Sequence, residues 1–141
     1  MIRKMEERDV AWACELDALL FPDAAWGEEE MREAFLPGRR FIVAEKGERL
    51  GWAAMDVRGA RAHILSIDVE PRSQGQGVGS SLLFSLLSSA RKLEKGRCVL
   101  EASCSNAPAL ALYEKFGFRA KGRVRGYYPS SDAFIMEKDL D

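Results

Sequence analysis

The chain has a single histidine and three cysteines in 141 residues, and it carries no surplus of either charge: 21 Lys and Arg stand against 22 Asp and Glu. Each shortage excludes something. Without a net field, the surface offers no general attraction for nucleic acid or anionic lipid. Cys14, Cys98 and Cys104 are odd in number, lack CxxC spacing and have only His63 as an imidazole partner, so the thiols read as structural and no metal site is expected. No apolar run nears the roughly 18 residues of a membrane span, and the opening MIRKMEERDV goes straight into charge instead of the apolar core of a signal peptide. The expectation is a soluble, cytoplasmic protein with no metal, no direct nucleic-acid partner and no membrane partner. Repeats, low-complexity tracts and linkers are also missing, so residues 1–141 are expected to form one domain, near the usual size for a single core.

What is present reads as alternating strands and helices. IRKME suits a first strand, and from Asp9 the residues Trp12, Leu16, Leu19 and Leu20 recur at helical spacing until Pro22. A shorter helix is expected from about Glu28 to Leu36. FIVAEKGERLGWAAMDV reads as a hairpin turning on Lys46, Gly47 and Glu48, and AHILSIDVE as the next strand. His63, near its start, reads as a surface or packing residue with no role. Val78 to Leu93 carries Leu82, Leu83, Leu86, Leu87, Ala90 and Leu93 on one helical face. RCVLEASC follows as a strand, then a helix capped by Asn106 with Pro108 in its first turn and Gly117 at its end, then two closing strands. The order implies a mixed α/β sheet.

The stretch RSQGQGVGSSLL, residues 72–83, lies between a strand and the longest helical run. The first N–H groups of a helix have no internal partner and the macrodipole is positive there, so an anion is favoured. Glycines at 75, 77 and 79 remove the β-carbons that would keep a phosphate from the main chain, which suits a diphosphate. No lysine follows Gly79, where Ser80 stands, and this excludes a GxxxxGK[ST] phosphate loop. GQGVGS is closer to the dinucleotide fingerprint GxGxxG, with Glu101 about twenty residues on, but its third glycine comes one place early. A turn with glycines for geometry alone also stays open.

Gln74, Gly77 and Gly79 match the Q/R-x-x-G-x-G/A signature of the GNAT superfamily of N-acetyltransferases. ILSIDVEP resembles that family's fourth strand, LEASCSN its fifth, and NAPALALYEKFGF the N-x-x-A-x-x-L-Y-x-x-x-G-F segment that follows. From LEASCSN through LYEKFGF to RGYYP and DAFIM, the chain is most similar to RimI-type enzymes, which acetylate the N-terminal alanine of the eighteenth small-subunit ribosomal protein. The likeness runs from about residue 50 to the end. It departs near the acceptor side, where Trp26 stands between Ala25 and Gly27, and Ser131 precedes Asp132.

The resemblance implies a mixed, mostly antiparallel sheet of six or seven strands with about four helices, the fourth and fifth strands splayed. It implies acetyl-CoA as co-substrate, its diphosphate on the loop of Gln74, Gly75, Gln76, Gly77, Val78, Gly79 and Ser80, and its pantetheine arm along Ile67, Asp68 and Val69. The Val69 N–H is then the oxyanion donor, and Asn106 contacts the cofactor besides capping its helix. Glu101 stands where the family's general base stands and Tyr113 where its general acid stands. On their own, these two could equally be a strand carboxylate and a packed aromatic. The implied reaction is direct transfer to a primary amine, a protein N-terminus first, with a lysine or small amine as the alternative and non-catalytic binding of an acyl-CoA or dinucleotide as a second. Cys104 lies close enough in sequence to the fifth strand to raise the question of reaction with the cofactor thiol.

Overall fold

In the structure, a computed structural model describing residues 1–33, 35 and 37–140, the β-prone runs assemble into a seven-stranded sheet. Its strands are β1 (Ile2–Lys4), β2 (Arg39–Lys46), β3 (Glu48–Asp56), β4 (Ala62–Val69), β5 (Arg97–Ser103), β6 (Arg119–Tyr128) and β7 (Ser131–Asp139), in the spatial order β1-β2-β3-β4-β5-β7-β6. Every neighbouring pair is antiparallel except β4 and β5. Four α-helices lie among the described residues: α1 (Val10–Leu20), α2 (Glu28–Glu33), α3 (Val78–Lys92) and α4 (Ala107–Lys115). This is the GNAT fold anticipated above.

Strand alternation sends residues to two cores. On one face Ala53, Met55, Ala62, Ile64, Cys98, Leu100, Ala102 and Met136 pack with α3 and Tyr113 of α4. On the other, Phe41, Val43, Trp52 and Ala54 pack with Val10, Ala13 and Leu16 of α1 and Met31 of α2. The periodic face of α3 holds up: Leu82, Leu83, Leu86, Leu87 and Ala90 are none more than 2% exposed. Burying a leucine side chain contributes about 2 kcal/mol, so this stripe fixes the helix, and with it the turn before it, against the sheet.

Some element edges differ from the sequence reading. Leu93 falls one residue past α3 and is 41% exposed, and Leu19 on α1 points outward at 66%. Helical spacing places a residue on a face only within the turns that exist, and at each helix end the stripe rotates off the core. α2 is described to Glu33, while the expected extension to Leu36 runs outside the described residues.

Two features shape the cleft. First, β4 and β5 pair only at Ala62↔Cys98 and His63↔Val99, whereas β7 holds β5 on its other side from Arg97 to Ser103 and β3 holds β4 as far as Val69. From Ile64 and Leu100 onward, the facing edges therefore diverge. Second, β4 carries a bulge: Ser66 is opposite Ala54 and Ile64 opposite Met55, which leaves Leu65 without a partner. The extra residue turns two consecutive side chains, Leu65 and Ser66, to the α1 and α2 face. No helix among the described residues is long and apolar enough to cross a membrane.

Candidate active site

The divergence of β4 and β5 opens toward the glycine turn. After β4 a short 3-10 turn, Pro71–Ser73, leads to Gly75 and Gly77 with φ of +78° and +86°, a region where any other residue is strained. A β-carbon added at either would meet no protein atom within 4 Å. Packing therefore does not require glycine here; the backbone angle does, along with whatever occupies the open side. Gly77 caps α3 without a side-chain hydrogen bond, and the first helical bond is Ser81 N–H to the Gly77 carbonyl at 3.0 Å. The amides of Gly77, Val78, Gly79 and Ser80 are thus the donors that a helix start leaves over. Gln74 turns back and donates through Nε2 to the Val69 carbonyl at 3.2 Å, while Gln76 Nε2 donates to the Arg72 carbonyl at 3.3 Å. Gly79 faces Leu112 and Val69, which brings α3, α4 and the end of β4 together at the turn.

Glu101 on β5 is flanked by the inward-facing Leu100 and Ala102, so its side chain lies on the sheet face opposite α3 and α4. His63 of β4 shares that face, and its Nε2 lies 2.8 Å from Glu101 Oε1. Tyr127 Oη donates to the same oxygen at 3.4 Å. The contact with His63 holds the Glu101 carboxyl below its usual range and raises the imidazole above its ordinary 6.5. The sequence reading gives His63 no role; the structure sets its ring against Glu101. The sequence separates it from Glu101 by 38 residues, and only the last paired positions of β4 and β5 bring the two together.

Tyr113 approaches from the other face. It is 8% exposed in the α3 and α4 core, with its ring edge-on to Phe118 at 5.9 Å. Burial pushes its hydroxyl up, so it is protonated throughout the physiological range. The Glu101 carboxylate and the Tyr113 phenol therefore lie on opposite faces of the sheet. Asn106 caps α4, its Oδ1 accepting from the Ala109 N–H at 3.2 Å. Tyr127 and Tyr128 meet edge-on at 4.9 Å at the end of β6, next to Glu101.

Of the cofactor residues expected on β4, Ile67 and Val69 pack on the α3 core, but the Asp68 side chain does not reach the cleft. It is fully buried on the α1 side against Asp17 and Trp52. Burial first, and Asp17 second, push its carboxyl far above the usual range, so it is a neutral acid. The Asp68 carboxyl therefore offers nothing to a ligand in the cleft. The segment between α1 and α2 is pinned close by: the Trp26 N–H donates to Asp17 Oδ2 at 2.7 Å, its indole donates to Ser66 Oγ at 2.9 Å, and its ring sits edge-on to Phe41. The bulge in β4, invisible to a periodicity argument, supplies the Ser66 anchor.

The comparisons agree with this arrangement. The model of the acetyltransferase (GNAT) family matches residues 8–118. The N-alpha-acetyltransferase RimI of Mycobacterium tuberculosis is 34% identical over 98% of this chain and 91% of its own length. The ribosomal protein bS18-alanine N-acetyltransferase of Escherichia coli is 33% identical over 93% and 88%. The solved structure of the ribosomal-protein-S18-alanine N-acetyltransferase from Escherichia coli superimposes with a TM-score of 0.90 at 28% identity, covering 100% of this chain and 94% of that one. A splayed strand pair, a glycine turn at a helix start and a match over most of the sequence converge: this chain belongs to the GNAT family of acetyl-CoA-dependent N-acetyltransferases.

Proposed function

We propose that this chain acetylates the α-amine at the N-terminus of a protein, and that bS18, named in its curated relatives, is the first acceptor to test. The observation that carries the reading is the parting of β4 and β5 after two residue pairs, beside a glycine turn whose amides are left over. The residues fit acetyl-CoA. The amides of Gly77, Val78, Gly79 and Ser80 would take its diphosphate on a turn shaped by Gln74, Gly75 and Gln76, and the main chain of Ile67, Asp68 and Val69 would hold its arm as a neighbouring strand would. Asn106, at the start of α4, would add a contact through its amide side chain.

When bound, acetyl-CoA supplies an activated acetyl thioester. The chain's own residues divide the rest of the work. The carboxylate side of the cleft, at Glu101, withdraws the proton from an incoming ammonium group. The Val69 N–H would serve as the donor to a developing oxyanion. Tyr113, kept protonated by burial, holds the proton for the departing sulfur. Base and acid on opposite faces let the amine arrive on one side while the thiol leaves on the other, so no covalent enzyme intermediate is needed.

Chemistry favours an α-amine over lysine. Their reference pKa values, near 8 and 10.4, make the neutral form of lysine roughly 3 kcal/mol harder to reach at neutral pH. Intact-mass analysis of two peptides tests this, one with a free N-terminus and no lysine, the other N-terminally blocked with an internal lysine. We expect a single acetyl group on the first and none on the second; the reverse would assign the protein to lysine.

A further inference from the structure

We propose that His63, and not Glu101 alone, receives the proton of the acceptor amine, with Glu101 orienting the ring and balancing its charge; this rests on the acetyltransferase reading above. His63 stands opposite Val99 at the last pair before β4 and β5 separate, so its ring lies at the mouth of the cleft on the face where Glu101 waits. Its side chain is 38% exposed, enough for an amine or a bridging water to reach it. The ring meets Glu101 through Nε2, and Nδ1 has no partner among the described residues. With the Nε2 hydrogen donated to Oε1, the Nδ1 lone pair is the open proton acceptor.

Glu101 is the weaker candidate on its own. Its Oε1 already accepts from His63 and Tyr127, and a carboxylate so solvated by donors holds its charge and releases protons readily. The groups that bear on the imidazole come from three directions. Glu101 on β5 and Asp56, the cross-strand neighbour on β3, favour the charged ring, while Arg61 just before β4 and partial burial oppose it. The hydrogen bond to Glu101 dominates, so the ring titrates above its ordinary 6.5, the direction that strengthens it as a base. The step balances simply: an ammonium N–H bond breaks, an Nδ1–H bond forms, and the amine becomes neutral. The resulting imidazolium keeps its second hydrogen on Glu101, then returns the proton from Nδ1 to water.

His63 is the only histidine in the chain, so its imidazole resonances are unambiguous in an NMR titration of the whole protein. We expect a ring pKa above 6.5 that coincides with the ascending limb of kcat/KM against pH. Glu101→Gln should lower that ring pKa. His63→Gln should move the kinetic limb to lower pH by more than one unit and reduce kcat about tenfold to a hundredfold, with KM for acetyl-CoA unchanged. A limb that stays in place in His63→Gln, or a wild-type ring pKa more than a unit from the limb, would overturn the proposal for His63 alone. A wild type that acetylates no amine would instead remove the reading on which it rests.

Discussion

At the scale of single residues, the cleft divides groups by what burial does to them. Tyr113 is sealed into a core that favours its neutral form, so its hydroxyl keeps its proton. Tyr113→Phe keeps the ring contact with Phe118 and removes the hydroxyl, so kcat should fall about a hundredfold with acetyl-CoA affinity and melting temperature close to wild type. Steady-state kinetics beside calorimetric titration would check both halves. Asp68 shows the same physics without a catalytic role. Its folded-state pKa is raised above the unfolded value, so its contribution to stability is complete below the ordinary carboxylate range and declines as pH rises above it. Asp68→Asn mimics the protonated form and should flatten that decline. Melting curves at pH 5 and pH 9 should show a larger drop for wild type than for the variant; parallel drops would mean that Asp68 is ionised in the fold.

Elements set where these residues stand, and their legibility varied with the range of the interactions that form them. α3 was readable from Leu82, Leu83, Leu86, Leu87 and Ala90 because its burial follows from one local period. α4 was readable from its cap. Asn106→Ala should cost about 1 kcal/mol, seen in chemical denaturation, since it leaves the Ala109 N–H without its acceptor. The glycine turn was readable as an anion site, though only the +86° at Gly77 shows why the residue must be glycine. Gly77→Ala should weaken acetyl-CoA binding beyond the 1–2 kcal/mol or so of backbone strain it adds, because its methyl projects into the open side of the turn. The bulge at Leu65 and the contact of His63 with Glu101 were not legible. Both depend on register between strands distant in sequence, and a single chain records no register.

Across the molecule, the N-terminal third is tied to the catalytic half by polar contacts as well as by packing. Asp9, fully buried, takes Arg3 in two hydrogen bonds of 2.8 Å and Arg49 at 2.9 Å. The Arg49 guanidinium lies over the Trp12 ring, whose indole donates to Glu70 at 2.8 Å, the residue that opens the glycine turn. Burial raises the Asp9 carboxyl, but the arginines outweigh it and hold it at about 2. Its stabilisation is therefore present above the ordinary carboxylate value and is lost as pH falls toward 2. Asp9→Asn should cost about 3 kcal/mol at neutral pH, read by denaturant titration, because two guanidinium groups lose their buried counter-charge. The claim on which the rest depends is that the gap between β4 and β5 holds acetyl-CoA with its diphosphate on the start of α3. A crystal structure with coenzyme A bound tests it most directly. The account predicts diphosphate density within hydrogen-bonding reach of the amides of Gly77 to Ser80 and an arm running along Ile67 to Val69; density at any other surface would contradict it.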